Sequence, residues 1–270
     1  MGLALLFVIW LITLASSWFF FAKTWWMPAG ASAAAAGIDR QFAITYALMG
    51  IVFLAAQLAL GLFVWKYRDK QAMKAHYSHG DTGLEMIWTV LTAILFIGLN
   101  LAGAKAWSEQ RFQPAAADAI KVEVTGVQFA WYFRYPGPDG KFAKVNPADI
   151  DASAGNEAAI GVDTTDPAAK DDIVVGTMVV PVDREVEVLL RAQDVIHSFY
   201  LPAMRFKQDA VPGLIIPMHF RPTAIGEYEF ACAELCGLGH YKMHGIMKVV
   251  SQQDYDKWLA EREAEKTAQQ

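Results

Sequence analysis

Three uncharged apolar runs lie within the first 107 residues of this chain, and they constrain its fold more than any other feature. They cover residues 3–22, 42–65 and 86–104. Each supplies the roughly 20 apolar residues that a helix needs to cross about 30 Å of hydrocarbon. Trp25, Trp26, Trp65, Tyr67 and Trp107 stand at their ends, where amphipathic rings favour the boundary between lipid and water. A buried globular helix accounts for one such run, but not for three with aromatic ends. Composition supports a mixed protein: 54% of residues are hydrophobic, yet 19% are charged, so a polar folded domain accompanies the spans. The net charge of -5 has no basic excess and argues against a nucleic-acid partner.

Charge sets the topology. Lys66, Arg68, Lys70 and Lys74 follow the second run and mark that loop as cytoplasmic. The third run then exits on the opposite side, placing everything after Trp107 outside the cytoplasm. The first run, which ends at Lys23, has no positive residue before it, as a secretory leader would. The small residues of 29–37 nevertheless offer cleavage sites. We read the run as a retained helix, with a cleaved leader as the alternative.

From Ile120 the periodicity changes. Lys121-Val-Glu-Val-Thr125 and Arg184-Glu-Val-Glu-Val-Leu-Leu190 alternate polar and apolar, as half-buried strands do. Pro/Gly turns at 136–140, 211–213 and 221–226 separate these and further short strands. The pattern predicts an antiparallel sandwich or barrel. The expected organisation is an extra N-terminal helix or leader-like segment at 1–25, a transmembrane hairpin at 38–110 and an extracytoplasmic domain at 111–255. That domain carries a surface excursion near 136–172, and a polar tail follows at 256–270. Asp149, Asp151, Asp163 and Asp166 in the excursion read as solvated loop acids rather than metal ligands.

The chemistry concentrates near the end of the domain, in Cys232-Ala-Glu234-Leu-Cys236-Gly-Leu-Gly-His240-Tyr-Lys-Met243. These are the only two cysteines. A bare C-x-x-x-C leaves a disulfide, a redox dithiol and metal ligation open. His240 and Met243 at short intervals favour metal, because thiolate, imidazole and thioether form a soft donor set suited to copper. A further ligand should come from elsewhere, and His197, after the strand-like run 185–191, is the candidate. His76, His79, His219 and His244 read as structural or solvent-facing. No C-x-x-C-H occurs, so no c-type haem is attached to the chain.

These residues carry a family resemblance. The chain resembles subunit II of the haem–copper respiratory oxidases of the cytochrome c oxidase type, over about residues 39–259. The matching motifs are Glu85-Met-Ile-Trp-Thr89, Gly126-x-Gln128-x-x-Trp131, Asp194-Val-Ile-His197-Ser, Lys207-Gln-Asp209-Ala-Val-Pro-Gly213 and the cysteine run. The resemblance implies a membrane-anchored all-β protein, in which transmembrane helices precede a cupredoxin-like Greek-key β-sandwich or barrel. It also implies a dinuclear copper A centre. Cys232 and Cys236 would bridge two copper ions. His197 and Met243 would complete one, and His240 with the Glu234 carbonyl the other. The Glu234 side chain would reach a magnesium ion at the interface with subunit I. Glu85 would stand at the mouth of a proton pathway. The implied partners are the haem-bearing subunit I, other oxidase subunits and a cytochrome c donor. The implied location is a bacterial inner membrane, multi-pass, with the C-terminal domain on the periplasmic side.

Two departures concern the point of electron arrival. Phe129 stands where the family usually carries a tryptophan, leaving Trp131 two residues on. Arg134 stands where the pattern often has an acid. Fewer acids weaken steering of a basic soluble cytochrome c, so a membrane-bound or otherwise non-standard donor is expected. A quinol-oxidase subunit II would lack the copper ligands. A nitrous-oxide reductase would lack the hairpin, and a copper chaperone or thiol reductase would carry a thioredoxin-like domain.

Overall fold

Long helices form around the apolar runs, uninterrupted by Pro and with their charges near the ends. The computed structural model describes residues 1–22, 26–69, 74, 77–151, 153 and 155–268, and only the backbone of Glu109 and Gln110. Lys23, Trp25, Lys70 and His76, named above, lie outside the described residues. The chain divides into two compact units, one of Met1–Met27 with Gly37–Trp107 and one of Pro28–Ala36 with Ser108–Gln270.

The first unit holds most of three helices, α1 (Gly2–Phe21), α2 (Ala35–Lys66) and α3 (Thr82–Arg111). All three are long and apolar enough to cross a membrane. Helix α1 packs on α2 where Gly61 leaves room for Trp10: a Cβ at Gly61 would fall 2.5 Å from the indole nitrogen. At the other end Phe20, Trp26 and Tyr46 form a ring cluster with centroids 5.6–5.7 Å apart. Gln41 on α2 donates to the Leu99 carbonyl of α3 at 3.3 Å. Helix α3 starts at a side-chain cap, with Asp81 accepting from the Gly83 and Leu84 amides. Its Trp88, Ile94, Phe96 and Leu101 remain exposed, as they would against lipid or other subunits.

The second unit is a sandwich of two five-stranded sheets. One has the order β3-β2-β1-β5-β8, formed by β1 (Ile120–Val127), β2 (Ala130–Tyr135), β3 (Ile173–Val175), β5 (Val186–Ala192) and β8 (Ile216–Phe220). The other has the order β4-β10-β9-β6-β7, formed by β4 (Met178–Pro181), β6 (His197–Leu201), β7 (Phe206–Ala210), β9 (Gly226–Cys232) and β10 (His244–Val250). Most pairs are antiparallel, as alternation predicts, but β1 pairs with β5 and β4 with β10 in parallel. Such pairings join strands far apart in sequence, and local pattern does not encode them. The architecture is the membrane-anchored, cupredoxin-like β-sandwich expected above.

Alternation places Val122, Val124, Phe133, Val188, Leu190, Phe199, Phe230 and Val249 in one core between the sheets. The rings of Phe133, Phe199 and Phe230 meet there with centroids 5.3–5.9 Å apart. The excursion after β2 is not a plain surface loop. It contains the short helix α4 (Asn156–Ala159) and packs Ala143, Ile160, Val162 and Ala169 against Val174 in a second small core. Its acids turn the chain: Asp151, Asp163 and Asp166 accept from the backbone amides of Ser153, Thr165 and Ala168.

Two further segments fold onto the domain. The residues from 256 onward, expected as a polar tail, continue helix α5 (Gln252–Ala268). Its Trp258 ring lies 5.1 Å from that of Tyr135. The small-residue stretch that resembled a cleavage region is a strap on the same domain. The Ala31 amide donates to Ala203, the Ala33 amide to Arg221, and the Ser32 hydroxyl to Met204 at 2.7 Å. Ala31, Ser32 and Ala35 are buried.

Candidate metal centre

The cysteine run folds as a loop between two antiparallel strands. Cys232 is the last residue of β9 and Met243 directly precedes β10, with His244 facing Ala231. The Cys232 amide donates to the Met243 carbonyl at 2.8 Å, closing the loop at its base. His197 opens β6, next to β9, where Phe199 pairs with Cys232. The strand order thus delivers a histidine from 35 positions upstream to the cysteine pair.

The sulfurs of Cys232 and Cys236 lie 3.9 Å apart and are free thiols. That separation is nearly twice the roughly 2.05 Å of a disulfide. Around them, His197 Nδ1 is 4.0 Å from Cys232 Sγ, and His240 Nδ1 is 3.5 Å from Cys236 Sγ. Met243 Sδ lies 3.3 Å from Cys236 Sγ. The Cys232 thiol donates to the Glu234 carbonyl at 3.2 Å. His197, Cys232 and Cys236 alone bring three ligand atoms within 4.8 Å of one another, close enough to hold a metal ion. The structure therefore brings together all six sequence-predicted donors: two thiols, two imidazoles, a thioether and a carbonyl. Burial and the neighbouring Cys232 push the Cys236 thiol up to about 11. A metal must displace that proton to bind.

Packing fixes the donors. His197, Cys232, Cys236 and Met243 are buried. Asp194 Oδ1 holds His197 Nε2 at 2.8 Å, which leaves Nδ1 facing the cysteines. A carboxylate on the far nitrogen is the usual orienting partner of a metal-binding imidazole. The close approach of His197 to β1 requires Gly126, where a Cβ would fall 2.9 Å from the imidazole.

The residues assigned to electron arrival lie at the same loop. The exposed Phe129 ring covers Gly239, where a Cβ would sit only 2.4 Å from it. Trp131 is buried, its ring edge-on to His197 at 5.8 Å. Glu234 is exposed at the loop surface, and Glu85 is exposed in the first turn of α3. His219 is structural: its Nδ1 lies 2.6 Å from Glu185.

Arg134 requires a correction. Far from facing a docking partner, it is buried on the outer face of β2 beneath the excursion. Its guanidinium donates to Glu123 at 2.9 Å, to Asp172 at 3.1 Å and to the Ala143 carbonyl at 2.9 Å. Its charge is met by two buried carboxylates rather than presented at the surface. Sequence reading also missed the orienting role of Asp194, although an acid three positions before the histidine was its signal. The side chain of Gln128, which donates to the Cys236 carbonyl at 2.5 Å, stood in the motif 126–131 with no role assigned to it.

Comparison with known proteins identifies the family. The family model described as Cytochrome C oxidase subunit II, periplasmic domain, matches residues 120–250, and that described as its transmembrane domain matches residues 16–103. The chain is 34% identical to an alternative cytochrome c oxidase subunit 2 of Bradyrhizobium diazoefficiens, over 90% of this chain and 85% of that one. It is 32% identical to a cytochrome c oxidase subunit 2 of Cereibacter sphaeroides, over 73% of this chain and 66% of that one. The crystal structure of the periplasmic domain of subunit II of the Bradyrhizobium japonicum cytochrome oxidase aligns with a TM-score of 0.40 and 29% identity. That alignment covers 56% of this chain and 96% of the other. The chain belongs to the cytochrome c oxidase subunit II family, membrane components of the haem–copper oxidases.

Proposed function

We propose that the chain accepts electrons from a cytochrome c at a dinuclear copper centre and relays them to the haem groups of the catalytic subunit. Oxygen would be reduced to water there, with proton translocation. One observation carries this reading: every added donor lies within 4.0 Å of a cysteine sulfur, so two thiolates can be shared between two metals. A single four-coordinate ion would leave part of the six-donor set idle.

Cys232 and Cys236 would bridge, His197 and Met243 would cap one copper, and His240 with the Glu234 carbonyl would cap the other. Two copper ions so bound supply a one-electron store spread over both metals, with little change of shape between redox states. The chain's own part is to hold that shape. The loop is closed by strands on both sides, His197 is locked by Asp194, and burial excludes water from the sulfurs. Electrons would arrive at the exposed Phe129 ring over the loop, with Trp131 buried against His197.

The loop surface carries large exposed apolar side chains beside the exposed Glu234 and Lys242. Leu235, Leu238 and Tyr241 are 79%, 97% and 73% exposed, with Ile196 and Phe129 beside them. Such a face favours a donor that docks by apolar contact, consistent with a cytochrome c held at the membrane. The Glu234 carboxylate, a hard ligand on the exposed side of the loop, would bind a magnesium ion shared with the catalytic subunit. Glu85 would open a proton pathway on the cytoplasmic side, and the domain would face the periplasm of a bacterial inner membrane. The test is to purify the full chain in detergent, load it with copper and count bound metal. Two copper ions per chain, lost together in Cys232→Ser, support the reading; a metal-free protein with a Cys232–Cys236 disulfide overturns it.

A further inference from the structure

The two parts of the ligand set sit on separate pieces of chain, the loop 232–243 and the start of β6. A third piece, the turn between β1 and β2, carries no ligand yet touches both. Its Gln128 side chain donates to the Cys236 carbonyl at 2.5 Å. Its backbone amide donates to Asp194 Oδ2 at 2.7 Å. The other oxygen of Asp194 holds His197 Nε2 at 2.8 Å. A continuous hydrogen-bonded path therefore runs from the peptide of one bridging cysteine, through Gln128 and Asp194, to the imidazole of His197.

The loop needs such a tie. Glu234, Leu235, Gly237 and Leu238 flank Cys236 and are exposed, so the backbone here is held by the buried Cys236 side chain and the Phe129 ring rather than by packing of its own neighbours. The Ala233 amide is anchored at the start of the loop, to the Ser198 carbonyl, and the turn at 237–243 bonds to itself. Gln128 alone reaches the Cys236 peptide among the described hydrogen bonds. Gly237, at φ +134°, lets the loop pass over the amide, since a Cβ there would fall 2.9 Å from Gln128 Nε2.

We propose that Gln128 is a positioning residue for the metal centre, clasping the Cys236 peptide and coupling its placement to that of His197 through Asp194. The inference rests on the copper reading of the site. A carbonyl offers no donor, so only the amide nitrogen of Gln128 can make this bond. Glu at position 128 keeps the shape but presents acceptors alone, and Met keeps the length without either.

The test uses the full chain in detergent, as wild type, Gln128→Glu, Gln128→Met, Asp194→Asn and the double variant Gln128→Met/Asp194→Asn. Copper stoichiometry, the rate of copper loss to a chelator and the midpoint potential are measured on each. Partners that orient metal ligands typically cost 10–100-fold in affinity when removed. Gln128→Glu and Gln128→Met should each bind two copper ions and release them at least about 10-fold faster, with a shifted potential. The double variant should lose less than the product of the single effects, because both residues act through one path. Should Gln128→Glu fail to fold, Gln128→Met carries the same test. Release and potential unchanged in Gln128→Met, or single effects that multiply in full, overturn the proposal. A wild type that binds no copper overturns the copper reading instead.

Discussion

The guanidinium of Arg134 lies 3.1 Å from the carboxylate of Asp172, and both side chains are buried where the excursion covers the outer face of the first sheet. Burial pushes Asp172 up to about 6, with Glu123 and Asp171 adding to the effect. The Ala143 amide and Arg134 oppose it. The folded state therefore holds a proton that the unfolded chain, ionising near 4, releases. The stability contributed by protonated Asp172 is fully present below about pH 4 and is lost as pH rises through about 6. Chemical denaturation of wild type and Asp172→Asn between pH 4 and 7 should show their difference falling across that window and level above it. A pH-independent difference would contradict the burial of this carboxylate.

Removing Arg134 should separate stability from donor recognition. Arg134→Leu leaves Asp172 buried without its cation and Glu123 with only Arg191 at 3.4 Å, a loss of about 3–5 kcal/mol by comparison with other broken buried pairs. The assembled oxidase carrying this variant should unfold at lower denaturant, yet keep its KM for cytochrome c. A changed KM in a folded variant would place Arg134 at the docking face.

The strap makes a prediction of its own. Ser32→Ala removes the hydroxyl that donates to the buried Met204 carbonyl, and the orphaned acceptor should cost about 1–3 kcal/mol. Unfolding of the domain, followed by near-ultraviolet circular dichroism of the full chain in detergent, reads the loss. An unchanged midpoint would mean that the strap contributes nothing.

Much of this architecture was legible in the residues because it is local. Each span is one uninterrupted apolar run, and five of the six donors fall within twelve positions. His197 became legible only beside that cluster and through the family motif. The features that escaped depend on contacts far apart in sequence. Arg134 looks like a surface charge until residues 136–172 fold across it, and Ala31 and Ser32 look like a cleavage region until they meet Met204 and Pro222. Trp258 sits among charged residues and gives no sign that it packs on Tyr135. The parallel pairings of β1 with β5 and β4 with β10 carry no mark in either strand alone.

The exposed apolar rim predicts how the donor docks. Leu238→Glu, at a side chain 97% exposed, should fold normally and leave copper binding intact while raising the KM for the donor. Wild-type turnover should depend weakly on ionic strength, since apolar contact is not screened by salt. Steep loss of turnover with salt, and a KM unmoved by Leu238→Glu, would instead indicate steering by charge.

Electron paramagnetic resonance of the copper-loaded full chain would reveal whether Cys232 and Cys236 share a pair of copper ions. The expected spectrum shows one unpaired electron divided equally over two copper nuclei, with a visible thiolate-to-copper absorption, both abolished by Cys232→Ser. A signal from a single isolated copper, or no signal from a protein holding a 232–236 disulfide, would contradict it.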